Sequence, residues 1–181
     1  MTNQESNLFN PRTIVVFAII VLAAIFRFLP TPPNFAPVAA MAMFGGAYFA
    51  DKRLALLIPI AIMLISDIFL GFHSTLMAVY LSFAAMVGIG ILVSRNKNFF
   101  SITAGAITGS ILFFITTNFA VWALGSGMFY PLTLEGLMMS YTAAIPFFHN
   151  TLIGDLVFTG VFFGGFELAQ RYFPALRLQN A

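Results

Sequence analysis

The chain has 181 residues, 60% of them hydrophobic and 8% charged, with a mean hydropathy of +0.96. Soluble domains need a wet shell and carry about a quarter charged residues, so this composition excludes a soluble enzyme, a nucleic-acid binder and a disordered chain. The formal charge of +2 offers no basic footprint for a polyanion, and the absence of cysteine excludes disulfides, thiolate metal sites and thiol catalysis. An all-α integral membrane protein remains, as a single transmembrane domain over residues 1–181.

A helix crossing the hydrocarbon needs roughly 20 apolar residues. Six segments approach that length: 14–29, 36–50, 54–70, 76–93, 99–124 and 143–168. The first ends at Arg27 and runs into Pro30-Thr31-Pro32-Pro33-Asn34, with no small-x-small cleavage pattern, so it reads as a retained helix and not as a signal peptide. The prolines predict a rigid loop dipping toward the membrane, and the second segment is correspondingly short. Asp51-Lys52-Arg53 separates the second and third segments, Gly71-Phe72-His73-Ser74 the third and fourth, and Arg95-Asn96-Lys97-Asn98 the fourth and fifth. The fifth and sixth are separated by the longer apolar stretch 125–141, which predicts a lid lying back on the bundle. The runs are continuous rather than alternating, against a β-barrel.

With the N-terminus inside, seven basic residues fall on the inner side: Arg12, Lys52, Arg53, Arg95, Lys97, Arg171 and Arg177. Arg27 alone falls outside. That split predicts six helices with both termini cytoplasmic, N-in/C-in.

Under this topology the polar residues collect in the outer half, which describes a pocket open to the outside and not a through-pore. Asp155 is the sharpest of them. It lies on the i, i+4 stripe Thr151, Asp155, Thr159, Phe163, Glu167, and an ionised carboxylate there needs a partner. It is either a ligand or proton site or a structural hydrogen bond to a neighbouring helix. A second stripe, Ser110, Phe114, Asn118, Trp122, sets an amide beside aromatics. That suits a planar ligand, while an interfacial tryptophan with a helix-bridging amide is the competing reading. Asp67 either lines the vestibule or pairs with Arg27, and Arg27 itself could clamp a carboxylate. His149 and His73 lie near helix ends, where capping or solvation competes with ligand contact. Two histidines without carboxylates at ligand spacing predict no metal site. The substrate-contacting set is Asn118, Trp122, His149, Asn150 and Asp155, with Asn34 and Asp67 at the mouth and Tyr130 on the closing loop. Gly105-x-x-x-Gly109, Gly160-x-x-x-Gly164 and the run Ala42, Gly46, Ala50 predict close helix packing. No hydrolase signature and no phosphate-cradling loop occurs, so neither catalysis nor a bound cofactor is expected.

The runs Asn34-Phe35-Ala36-Pro37-Val38-Ala39-Ala40, Phe44-Gly45-Gly46-Ala47-Tyr48-Phe49 and Ser66-Asp67-Ile68-Phe69-Leu70-Gly71-Phe72-His73 resemble an uncharacterised bacterial integral-membrane family. So do Tyr130-Pro131-Leu132-Thr133 and Pro146-Phe147-Phe148-His149-Asn150-Thr151 with Gly154-Asp155. In size, topology and outer polar cluster the chain is also similar to the S components of energy-coupling factor (ECF) transporters. That resemblance implies a vitamin-like solute pocket and docking on a coupling subunit driven by two ATPases. The docking spacing of that class, alanine-x-x-x-alanine, occurs here at Ala36–Ala40 and not in the first helix. The function so implied is a solute-binding subunit for uptake, with the bilayer and a small molecule as partners and no nucleic acid. The alternatives are a proton-coupled homo-oligomeric transporter or channel titrating at Asp155, and a non-transporting assembly protein.

Overall fold

The computed structural model describes residues 10–72 and 74–177; His73 lies outside the described residues. They form six α-helices and a final 3-10 turn, with no strand among them. In chain order these are α1 (Pro11–Phe26), α2 (Val38–Tyr48), α3 (Lys52–Leu70), α4 (Leu76–Val93), α5 (Phe99–Leu124) and α6 (Leu134–Tyr172), followed by the 3-10 turn Pro174–Leu176. Helices α3, α4, α5 and α6 are long and apolar enough to cross a membrane.

Side chains fix several starts. Asn10, Asp51, Asn98 and Thr133 each accept a hydrogen bond from a backbone N–H two or three residues on, the usual way a helix satisfies its first free donors. Thr133 caps α6, so the connection after α5 is shorter than the sequence suggests, and residues 134–141 form the first two turns of α6. Pro146 lies inside this 39-residue helix, as Pro59 lies inside α3. Membrane-type helices tolerate such prolines where neighbours satisfy the freed carbonyl.

The organising element is α2. Its 11 residues rise only about 16 Å, half of a hydrocarbon layer. Nine of them are buried, from Ala40 to Tyr48, and α2 touches every other α-helix. A helix that is apolar all round belongs in the centre. Its closest approach is to α4: a Cβ on Gly46 would stand 2.2 Å from the Val87 carbonyl oxygen, and one on Gly90 would stand 2.1 Å from that of Met43. Gly105 packs less closely, against the Met43 and Val93 side chains at 3.0 Å, whereas Gly160 and Gly164 face open space.

Because α2 is a half-length helix in the middle of longer ones, the two ends of the bundle differ. At the end where α1 begins, Phe44 and Tyr48 of α2 interlock with Phe163 and Phe166 of α6 at ring separations of 4.7–5.6 Å. At the other end the chain between α1 and α2 comes down to mid-depth. Gly154 of α6 lies against the Phe35 and Ala36 backbone there. Above the start of α2, the longer helices enclose a space that α2 does not fill.

Candidate solute cavity

That space is a cavity of about 480 Å³, within the range of about 300–1,000 Å³ typical of small-molecule sites. Ala36, Val38 and Ala39 form its floor at the start of α2, and α3, α4, α5 and α6 contribute wall, with Arg27 just past the end of α1. It reaches the surface beside Asn34 and Phe147, both exposed. Asn34 holds the left-handed conformation, with φ 62°, where asparagine is tolerated better than most residues. The first ladder bond of α2 runs from the Met41 N–H to the Pro37 carbonyl, and no side chain caps the helix. Its leading N–H groups, and the positive end of its dipole, therefore sit at the cavity floor.

Asp155 reaches the cavity from α6 and is 2% exposed. Its Oδ2 lies 2.6 Å from the Ser110 hydroxyl of α5, which also lies 3.0 Å from the Ala106 carbonyl. A serine carries one hydroxyl proton. Donated to Asp155, it matches an ionised carboxylate; donated to Ala106, it leaves Ser110 to accept from a protonated one. On its far side Asp155 borders a second, smaller void of about 10 Å³ that it shares with Ala39, Ala40 and Thr159. The Thr159 hydroxyl is buried there without a hydrogen-bond partner. A void of this size holds a single water molecule.

Of the predicted contact residues, Asn34, Asn118 and Asp155 line the cavity. Asn118 donates from Nδ2 to the Phe114 carbonyl one turn back, at 2.8 Å, and its own carbonyl accepts from Ser140. Asp67 instead pairs with Arg27 at 2.8 Å, while its other oxygen accepts from Tyr80 at 2.8 Å and Ser66 bonds to the same guanidinium. Arg27 borders the cavity from within this network. Trp122 donates to the Pro131 carbonyl at 3.0 Å, pinning the connection that carries Tyr130. Asn150 donates to the Pro33 carbonyl at 3.0 Å and so ties the Pro-rich loop to α6. His149 is exposed. Asp67, Trp122, Tyr130, His149 and Asn150 thus surround the cavity's frame but are not among its lining residues.

The wall also contains residues that the sequence reading does not place at the site: Phe113 and Thr117 on α5, and Phe147 and Phe148 on α6, beside Thr151 of the predicted α6 stripe. The paired phenylalanines in each helix were the available signal. Phe114 and Phe148 face each other with ring centroids 4.8 Å apart. No group of three or more histidine, cysteine or carboxylate side chains that could hold a metal occurs among the described residues.

The opposite end is packed around Arg12 and the Tyr48 ring. Arg12, 5% exposed, donates to the carbonyls of Tyr48 (3.3 Å) and Leu176 (2.9 Å) and to Gln170 Oε1 (3.0 Å), and it lies 5.4 Å from the Tyr48 and Phe166 rings. The Tyr48 hydroxyl donates to Glu167 at 2.7 Å, and Lys97 Nζ stands 4.8 Å from the Tyr48 ring centroid. Burial, reinforced by the nearby Arg12 charge, holds the Lys97 ammonium below the usual lysine range, with Glu167 pulling the other way.

Fold and site define an all-helical protein with four helices suited to cross a membrane and a cavity with a carboxylate at its base. The chain belongs to a family of unknown function, DUF6580, whose model matches residues 7–176. No curated protein and no solved structure matches it.

Proposed function

We propose that this protein is a multi-pass protein of the bacterial cytoplasmic membrane that binds a small solute in the cavity above α2 and serves its uptake. The observation that carries the reading is the cavity itself, a space of about 480 Å³ with aromatic walls and few polar groups. Its orientation follows from charge. The basic residues Arg12, Lys52, Arg53, Arg95, Lys97, Arg171 and Arg177 all belong to the end away from the cavity, and Arg27 alone to the cavity end. Cytoplasmic termini satisfy the positive-inside rule and turn the cavity outward. A coupling subunit with ATPases remains part of the proposal, but Ala40 is 1% exposed and so the Ala36–Ala40 spacing is not its docking face.

A second reading, transport coupled to protons through Asp155, is favoured by one feature. The partnerless Thr159 hydroxyl and a water-sized void lie just beyond Asp155 on the same face of α6.

Native mass spectrometry of the protein purified in mild detergent tests both readings. A stoichiometric small-molecule adduct is expected, and it should be depleted in Asp155→Ala and Asn118→Ala variants that still insert. Equal occupancy in both variants overturns the placement. Flux driven by a proton gradient in liposomes holding this chain alone, and lost in Asp155→Asn, selects the second reading.

A further inference from the structure

Charge in the cavity is unevenly answered, and the imbalance describes the ligand; this step rests on the solute-site reading above. Among the described residues, two charged side chains line the cavity, Arg27 and Asp155. Arg27 is neutralised by Asp67, whose second oxygen is in turn held by Tyr80. Asp155 has a neutral partner, the Ser110 hydroxyl. The start of α2 contributes about half a positive charge to the floor, so an ionised Asp155 lacks a full counter-charge from the protein.

The walls add to this sign. Phe148, Thr151 and Asp155 are spaced three and four residues apart and share one face of α6. The Phe114–Phe148 pair therefore stands about 10 Å, two helical turns, above the carboxylate. Aromatic faces carry negative potential and attract cations. An anionic group would meet aromatic walls and a carboxylate at the cavity base.

We propose that the cavity selects solutes bearing a protonated amine on a flat apolar body. The ammonium pairs with Asp155 at the base, and the body lies along the Phe114 and Phe148 rings. A neutral isostere gives the carboxylate no counter-charge, and an anionic one repels it.

Three probes with one ring system test this: tryptamine, tryptophol and indole-3-propionate, titrated by calorimetry into the full-length protein in detergent. Tryptamine should bind at least about tenfold tighter than either of the others, the difference expected of even a modest charge pair. Asp155→Asn should remove that preference, bringing tryptamine and tryptophol within about threefold of each other. The wild-type ranking is decisive even if the variant fails to fold. Equal affinity for tryptamine and tryptophol, or tighter binding of the propionate, overturns the charge selectivity and spares the solute site. A tenfold amine preference that survives Asp155→Asn overturns the assignment to Asp155. No binding of any probe to the folded wild-type protein overturns the selectivity and counts against the cavity as a solute site.

Discussion

Arg12 and Asp155 are both buried charges in one small bundle, 5% and 2% exposed, and they are treated in opposite ways. Arg12 is met by two backbone carbonyls, a glutamine and two aromatic faces, all supplied by the protein. Asp155 is met by one serine and two voids. An ion removed from water is tolerated when its hydrogen-bonding capacity is filled. The Arg12 end satisfies that condition by itself and is closed by packed rings. At the Asp155 end the protein itself supplies one hydroxyl to the carboxylate. The difference traces to the length of α2, which fills one half of the bundle and leaves the other hollow.

If α2 is the divider, the largest effect should come from displacing it. Gly46→Ala places a methyl 2.2 Å from the Val87 carbonyl oxygen, and a backbone atom cannot rotate away. The expected loss is on the order of 3 kcal/mol, the upper end for overpacking, and both ends should suffer together. Reversible unfolding in mixed detergent, with probe binding measured alongside, checks this. A Gly46→Ala protein of unchanged stability would mean that α2 and α4 do not cross there. A smaller effect, confined to one end, is expected of Arg12→Met. The long side chain is kept, but the Tyr48 and Leu176 carbonyls lose their donor, at a cost of about 2 kcal/mol. Probe affinity at the other end should not change. A matching loss of binding would show that the two ends are energetically one unit.

Much of this division is legible in the sequence. The hydropathic runs 76–93 and 99–124 coincide with α4 and α5 residue for residue, because Gly, Asn and charged residues interrupt the chain on either side. The charge asymmetry separates the ends before any coordinates are known. The pairing of Asp67 with Arg27 was one of two readings that residue types allowed, and geometry selects it. The start of α6 is not legible in the same way. The apolar run begins at residue 143, and only the Thr133 cap and the close approach of Gly136 to the Pro131 carbonyl reveal that the helix has already begun. The cavity lining is legible only in part. Trp122 and Asn150 look like ligand groups by type, but each spends its donor on a loop carbonyl, which sequence spacing does not disclose. Ser110 sits on the predicted α5 stripe, yet its contact with Asp155 depends on how α5 and α6 cross.

The smallest effect should fall at the rim of the closed end. Tyr48→Phe removes the hydroxyl that donates to Glu167 at 2.7 Å. Glu167 is exposed, so water replaces the lost donor and the carboxylate is not stranded. The ring remains, and with it the stacking on Phe44 and Phe166 and the Lys97 ammonium 4.8 Å from its centroid. The expected cost is about 1 kcal/mol in the same detergent unfolding assay, less than that of Arg12→Met. A Tyr48→Phe loss as large as the Arg12 variant's would place the closure of this end in the Tyr48–Glu167 hydrogen bond. A loss near zero would place it in the aromatic packing and the Arg12 donors, the arrangement that the burial of Arg12 and the exposure of Glu167 favour.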